Sequence, residues 1–171
     1  MAKRAVFLIA SVLLMIVLFS FCGKKEEAKK PEYPILTGWL TQETLFEKLP
    51  EMKAEMDRYI PDSAAVEYLK AFAKKMNILV MLGTWCSDSR REVPRLLKVM
   101  EKIQNNNVHV ELYGLDRAKS DSLGLGQANQ VEFVPTFILF NESGEFGRII
   151  ETPEISMEQD LANLLAESED Q

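Results

Sequence analysis

The apolar patterns along this 171-residue chain predict an α/β protein, a three-layer α/β/α sandwich with an N-terminal helical extension. An unbroken apolar run at residues 77–83 is typical of a strand buried on both faces of a sheet. An alternating segment at residues 108–116 follows an intervening helical segment, so the two strands should be parallel. Two further strand patterns at residues 136–140 and 146–151 flank a turn, which predicts a hairpin at one side of the sheet.

The helical extension is predicted over residues 35–62. Apolar side chains recur there at spacings of three and four, which indicates one buried helical face made of Leu45, Leu49, Met52, Met56 and Tyr59. Pro50 should divide this segment into two helices, because proline disrupts a helix interior.

The main domain is predicted over residues 63–171. Asp62 should cap a helix over residues 63–75 that turns Val66, Leu69 and Ala73 inward. Three more helices are expected: one from the Trp-Cys motif to about Lys102, a short one within the loop 117–132, and one from Ser156, which resembles a capping box with Gln159.

Composition excludes several classes of site. The net charge is −6 and both signs are mixed along the chain, so the clustered basic surface of a nucleic-acid-binding protein is absent. His109 is the one histidine, which excludes a site built from several imidazoles, and its phase in the alternating strand predicts a surface or strand-edge position. Two cysteines are too few for a structural zinc site, and we expect no metal and no other cofactor.

The first 22 residues have the pattern of an export signal. Lys3 and Arg4 precede an uncharged apolar run at residues 5–21, and Cys22 follows. A cysteine at this boundary resembles a bacterial lipoprotein signal, in which the thiol is lipidated after cleavage; the alternative is an uncleaved membrane anchor. Either outcome places the protein outside the cytoplasm, on a membrane of the bacterial cell envelope. The charged segment 23–34 is predicted to be a flexible tether.

The stretch TWCSDSRREVP at residues 84–94 contains the candidate reactive residues of the sequence. Trp85 and Cys86 come directly after the first buried strand, at the predicted start of a helix. Pro94 follows eight residues after Cys86, within that helix. A second motif, Val-Pro-Thr at residues 134–136, precedes the first hairpin strand.

Together these motifs and the strand order resemble the thioredoxin superfamily over residues 63–167, and in particular exported thioredoxin-like proteins with a Cys-x-x-Ser motif. The chain departs from the family at two places: Ser89 replaces the resolving cysteine, and Val80 replaces a buried aspartate. The resemblance implies a nucleophilic Cys86 and a cis Pro135. It also implies that the backbone of Val134 faces Cys86 and holds a substrate chain.

The remaining residues of the motif would modulate the thiol. A helix N-terminus and Arg90 should favour the thiolate, whereas the carboxylate of Asp88 should oppose it. Ser89 would either donate a hydrogen bond to the thiolate or form a capping box with Glu92. Trp85 would form a lid over the sulfur or belong to the core.

A lone thiol in this setting predicts a protein that acts on protein or small-molecule thiols and disulfides. Attack by Cys86 would leave a mixed disulfide, and an outside thiol would have to end it. Such a protein would be a thiol-disulfide oxidoreductase or isomerase without a resolving cysteine. The rival hypothesis is a non-redox binding module or chaperone-like domain on the same fold.

Overall fold

A computed structural model describes residues 32–169, which belong to one compact unit. The predicted export signal with Cys22 and the tether up to residue 31 lie outside the described residues. The strands are β1 (Gly38–Leu40), β2 (Met76–Leu82), β3 (Val108–Gly114), β4 (Thr136–Asn141) and β5 (Gly144–Ile150). The helices are α1 (Gln42–Lys48), α2 (Pro50–Arg58), α3 (Ser63–Ala71), α4 (Ser87–Ile103), α5 (Leu125–Ala128) and α6 (Met157–Glu169).

The five strands form one mixed sheet in the order β1-β3-β2-β4-β5. Strands β2 and β3 are parallel, and the β4–β5 hairpin lies antiparallel on the other side of β2. This confirms the predicted α/β fold class. The edge strand β1, which pairs antiparallel with β3, was not predicted. It spans three residues, which is too short for an alternating pattern to be recognised.

The N-terminal helices α1 and α2 bury the apolar side chains whose spacing predicted an inward-facing stripe. Leu45, Leu49, Met52 and Met56 are all buried, and Tyr59 packs against the same core. Pro50 is the first residue of α2, where its missing N–H costs no helical hydrogen bond. The predicted division into two helices is therefore confirmed.

Helix α3 starts as predicted and ends early. The side chain of Asp62 accepts a hydrogen bond from Ala65 N at 2.9 Å, which confirms the cap. The helix ends at Ala71 rather than residue 75, and Ala73 is exposed, so its predicted inward position was wrong. The physical reason lies in Asn105, whose amide donates to the carbonyls of Leu69 and Phe72 at 3.1 and 2.7 Å and satisfies the end of the helix.

The sheet is buried on both faces, but the two faces are covered unequally. Ile78, Val80 and Leu82 point into a large core shared with α1, α2, α3, α4 and α6. Met81 points the other way, into a smaller cluster with Tyr113 and residues of the loop between β3 and β4. Among the described residues, α5 is the helix that contributes to this second cluster.

The loop between β3 and β4 is organised by Asp121. Its carboxylate accepts hydrogen bonds from the hydroxyl of Tyr113 at 2.7 Å and from the backbone N–H groups of Leu123, Leu125 and Gly126. Desolvation acts to raise the pKa of Asp121, but the hydrogen bonds from Gly126, Tyr113 and the other donors outweigh it and hold the pKa at about 2. Burial, together with Asp121, raises the pKa of Tyr113 to about 12.

Candidate active site

Cys86 lies at the start of the long helix α4. It is the N-cap residue, in an extended conformation, and its N–H donates to the Gly83 carbonyl at 2.8 Å. We call residues 83–86 the active-site turn. The first N–H groups of a helix have no intrahelical acceptor, so this position exposes the sulfur to the positive end of the helix dipole. The thiol is free and half-buried.

Cys86 and the Val-Pro motif meet at one end of the sheet, where β2 ends and the neighbouring strand β4 begins. The peptide bond between Val134 and Pro135 is cis, as the resemblance implied. The sulfur of Cys86 donates to the Val134 carbonyl at 3.1 Å. Two motifs that are 48 residues apart in sequence are therefore in direct contact. Next to them, the side chain of Phe133 is half-exposed.

Ser89 has a role that the sequence did not predict. Its side chain is fully buried, and its hydroxyl accepts a hydrogen bond from Gly83 N at 3.1 Å. Because Cys86 is the N-cap and α4 begins at Ser87, the predicted capping box with Glu92 was wrong. Among the described residues, no hydrogen bond joins Ser89 to the sulfur of Cys86. The serine instead fixes the active-site turn to the first turn of α4.

Of the two roles expected of Trp85, the structure supports a place in the core. It packs against the smaller core cluster beside Cys86 and remains partly exposed. Its indole N–H donates to the Leu115 carbonyl at 3.1 Å, and the guanidinium of Arg117 lies 5.3 Å from its ring. A Cβ at Gly83 would lie 2.7 Å from the indole, so glycine is required there.

The two predicted modulators of the thiol are engaged with other groups. Asp88 forms an ion pair with Arg91 at 2.8 Å. The guanidinium of Arg90 donates to the Thr84 carbonyl at 2.9 Å and lies 3.8 Å from the Glu51 carboxylate. Neither side chain has a recorded contact with the sulfur among the described residues.

A cleft of about 340 Å³ lies beside the start of α4, between α4 and α2. Its charged groups are internally paired. Glu55 binds Arg95 at 2.8 Å and also Arg58, and despite desolvation these arginines lower the pKa of Glu55. The buried Glu92 accepts from Arg95 at 3.2 Å through one oxygen, while its second oxygen has no partner among the described residues. We interpret these ion pairs as contacts that join α2 to α4.

Residues 33–34 of the predicted tether and residues 35–36 of the predicted helical extension lie close to the site. Thr84 is fully buried, and its hydroxyl donates to the Pro34 carbonyl and accepts from Leu36 N at 3.1 Å. The ring of Tyr33 lies 3.4 Å from the guanidinium carbon of Arg90. We call residues 33–36 the N-terminal arm. The one sequence signal for this contact was an aromatic residue in an otherwise charged segment.

Within residues 32–169, no helix is long and apolar enough to cross a membrane. The same part of the chain contains no group of three or more histidine, cysteine or acidic side chains that could hold a metal ion.

Comparison with known proteins supports the fold. Two solved structures share 20% sequence identity with the chain: a protein of unknown function from Pseudomonas aeruginosa (TM-score 0.51) and an HIV epitope-scaffold (TM-score 0.50). Each match covers 71% of this chain, and they cover 81% and 82% of the other chains. The germline-specific thioredoxin Deadhead of Drosophila melanogaster is also similar, at 20% identity over 59% of this chain and 88% of its own, with a TM-score of 0.40. No curated protein matches significantly.

A family model described as Thioredoxin matches residues 42–163. The match begins at α1, so it includes the helices that the sequence had predicted as an extension. It also includes Cys86 at the start of α4 and the cis Val134–Pro135 bond. This chain belongs to the thioredoxin family.

Proposed function

We propose that this protein exchanges thiols and disulfides through Cys86 alone, outside the cytoplasm, while attached to a membrane of the cell envelope. The observation that carries the proposal is the position of the Cys86 sulfur. It lies at the N-terminus of α4, half-buried, and 3.1 Å from the Val134 carbonyl beside the cis peptide bond. A nucleophilic thiol and a backbone acceptor for a bound chain thus lie side by side.

The proposed reaction has two steps. The Cys86 thiol loses its proton to solvent, and the thiolate attacks one sulfur of a substrate disulfide. A bond forms between Cys86 and that sulfur, the substrate disulfide breaks, and the second substrate sulfur leaves as a thiolate that takes up a proton. An outside thiol then attacks the mixed disulfide, releases Cys86, and remains bonded to the substrate sulfur. The electrons for net reduction therefore come from outside thiols.

The absence of a second cysteine at position 89 supports a thiol–disulfide exchange in which another molecule supplies the thiol that releases Cys86. Ser89 occupies the position of the resolving cysteine, and a hydroxyl does not displace a disulfide. Isomerisation, exchange with a small thiol and retention of a client are the reactions open to such a site. In each of them the mixed disulfide persists until another thiol arrives.

The location rests on the sequence of residues 1–22. The basic start, the apolar run and Cys22 support export followed by lipidation of Cys22. The cell envelope is also a compartment in which disulfides persist. The proposed location and the proposed chemistry are therefore consistent.

A second candidate function is a binding module in which the thiol is incidental. The contacts of Arg90 favour it, because this cation lies against the Thr84 carbonyl and Tyr33 instead of the sulfur. In that case the Val134 backbone and the exposed Phe133 would hold a partner without covalent chemistry.

A mixed-disulfide assay distinguishes the two functions. The reduced protein is incubated with oxidised glutathione, and the intact mass is followed over time. We expect a gain of one glutathione that is reversed by added reduced glutathione. Cys86→Ser serves as the matched control and should gain nothing; both proteins carry Cys22→Ser, so that Cys86 is the one thiol under test. Absence of the adduct in the wild-type protein under these conditions would leave the binding module as the better account.

A further inference from the structure

We infer that Thr84 is a positioning residue for Cys86, and that the N-terminal arm (residues 33–36) is part of the active-site machinery. This inference rests on the proposed reactivity of Cys86. It adds the arm, which lies outside the motif at residues 84–94 and whose first two residues, 33–34, were predicted to belong to the flexible tether.

The Thr84 side chain is the link between the arm and the active-site turn. Its hydroxyl donates to the carbonyl of Pro34 and accepts from the N–H of Leu36 at 3.1 Å. The Thr84 hydroxyl thus acts as a donor and as an acceptor at once, and the Thr84 side chain is fully buried. Loss of this hydroxyl would leave a backbone donor and a backbone acceptor of the arm without partners, which weakens the attachment of the arm to the active-site turn.

Arg90 closes the connection from the side of α4. Its guanidinium donates to the Thr84 carbonyl at 2.9 Å, and its carbon lies 3.4 Å from the centre of the Tyr33 ring. The side chain of Arg90 is 14% exposed, so this cation–π contact is largely shielded from water. Contacts therefore join the arm to the active-site turn, the active-site turn to the start of α4, and the start of α4 back to the arm.

Gly114, the last residue of β3, shows how closely the arm approaches the sheet. A Cβ built at this residue would lie 2.2 Å from the carbonyl oxygen of Leu36. That oxygen belongs to the backbone, so a side-chain rotation cannot relieve the contact. A methyl group at residue 114 must displace the arm, although Gly114 itself has no recorded contact with Cys86 or Thr84.

The consequence concerns the orientation of the sulfur. The active-site turn is held by Ser89 at Gly83, by Arg90 at the Thr84 carbonyl, and by the arm at the Thr84 hydroxyl. Release of the arm removes one of these three supports. The sulfur would then lose its fixed position at the N-terminus of α4, where it faces the positive end of the helix dipole.

Two substitutions at one residue test this inference in the full-length protein. Thr84→Val keeps the shape of the side chain and removes the hydroxyl, whereas Thr84→Ser keeps the hydroxyl and loses a methyl group. We measure the rate constant for alkylation of Cys86 by iodoacetamide and, separately, for adduct formation with oxidised glutathione. Thr84→Val should react about tenfold more slowly at neutral pH, because the attacking sulfur would lose the stabilisation that the positive end of α4 gives to negative charge. Thr84→Ser should react at close to the wild-type rate.

Gly114→Ala provides an independent test that leaves Thr84 intact, and it should also slow both reactions. Gly147→Ala is the matched control, because the three atoms nearest to its added methyl all belong to the side chain of Leu164, between β5 and α6. An arm that only covered the thiol would predict the opposite sign, because its release would expose the half-buried sulfur and speed alkylation.

The outcomes separate this inference from the proposed function. Thr84→Val reacting as fast as wild type or faster, or Thr84→Ser slowed as strongly as Thr84→Val, would overturn the positioning role. A wild-type protein that forms no adduct with oxidised glutathione, yet shows the expected alkylation pattern across the variants, would refute the proposed exchange and retain the positioning role.

Discussion

Ser89 shows at the scale of one residue how a motif position can change its role. By resemblance it occupies the place of a resolving cysteine, and its hydroxyl was expected either to bind the thiolate or to form a capping box with Glu92. In the structure it is fully buried and supports the Gly83 N–H. Which neighbour a hydroxyl binds depends on the backbone path of the turn, which the residue letters do not contain.

Ser89→Cys should restore a dithiol site. We expect a disulfide with Cys86, one helical turn away, and reduction of insulin in the presence of dithiothreitol. Because sulfur accepts hydrogen bonds weakly, the reduced variant should lose about 1 kcal/mol of unfolding free energy. Ser89→Ala is the control, with a similar loss and no second thiol. Two thiols that remain titratable after treatment with oxidised glutathione would contradict the geometry.

Asp121 makes stability depend on pH in the acidic range. Its folded-state pKa is about 2, below the ordinary value of 3.8. A depressed pKa contributes stability above about pH 4, and this contribution is lost as the pH falls through about 2. Asp121→Asn should therefore be less stable at pH 7 and show a smaller decrease between pH 4 and 2. Urea unfolding at both ends of that range measures the effect, and an unchanged pH dependence would refute it.

At the scale of elements, long periodic segments were predictable and short ones were not. The helical periodicity of α4, the double burial of β2 and the β4–β5 hairpin all follow from apolar spacing. The three residues of β1 and the N-terminal arm carry no period, because their places are set by contacts with β3 and Thr84. The early end of α3 likewise depends on Asn105, which is more than 30 residues away.

Glu158, at the start of α6, joins that helix to the connection between α2 and α3. Its buried carboxylate accepts from the Tyr59 hydroxyl at 2.7 Å, from Asp62 N at 2.8 Å and from the Ser156 hydroxyl. Burial and the contact with Glu158 raise the pKa of Tyr59, so its hydroxyl remains a donor across the physiological range.

Glu158→Ala should lower the free energy of unfolding by about 2–3 kcal/mol, because three donors lose a charged acceptor. Glu167→Ala, an exposed position on the same helix, should change it by less than about 0.5 kcal/mol. Chemical denaturation of the two variants provides the measurement. Equal losses would show that the buried carboxylate has no special role.

At the scale of the whole molecule, the proposed attachment to a membrane depends on residues outside the described part. If Cys22 is lipidated, the mature protein should begin at Cys22 and carry acyl chains. Cys22→Ser should abolish this modification and leave the signal uncleaved. Mass spectrometry of the membrane fraction decides the question, and an intact Met1 in the wild-type protein would instead indicate an uncleaved anchor.

Because the two faces of the sheet are covered unequally, we expect local opening to be more frequent on one side of the sheet than on the other. Trp85 and Leu115 belong to the smaller cluster, which a four-residue helix and a loop cover. Local opening of this side requires less free energy than global unfolding, so its amide hydrogens should exchange with deuterium sooner than those of the β2–β4 ladder. Each opening would separate Trp85 from Leu115 and widen the approach to the sulfur, while α4 and the large core stay closed. The access of reagents to Cys86 would then depend on how often the smaller cluster opens.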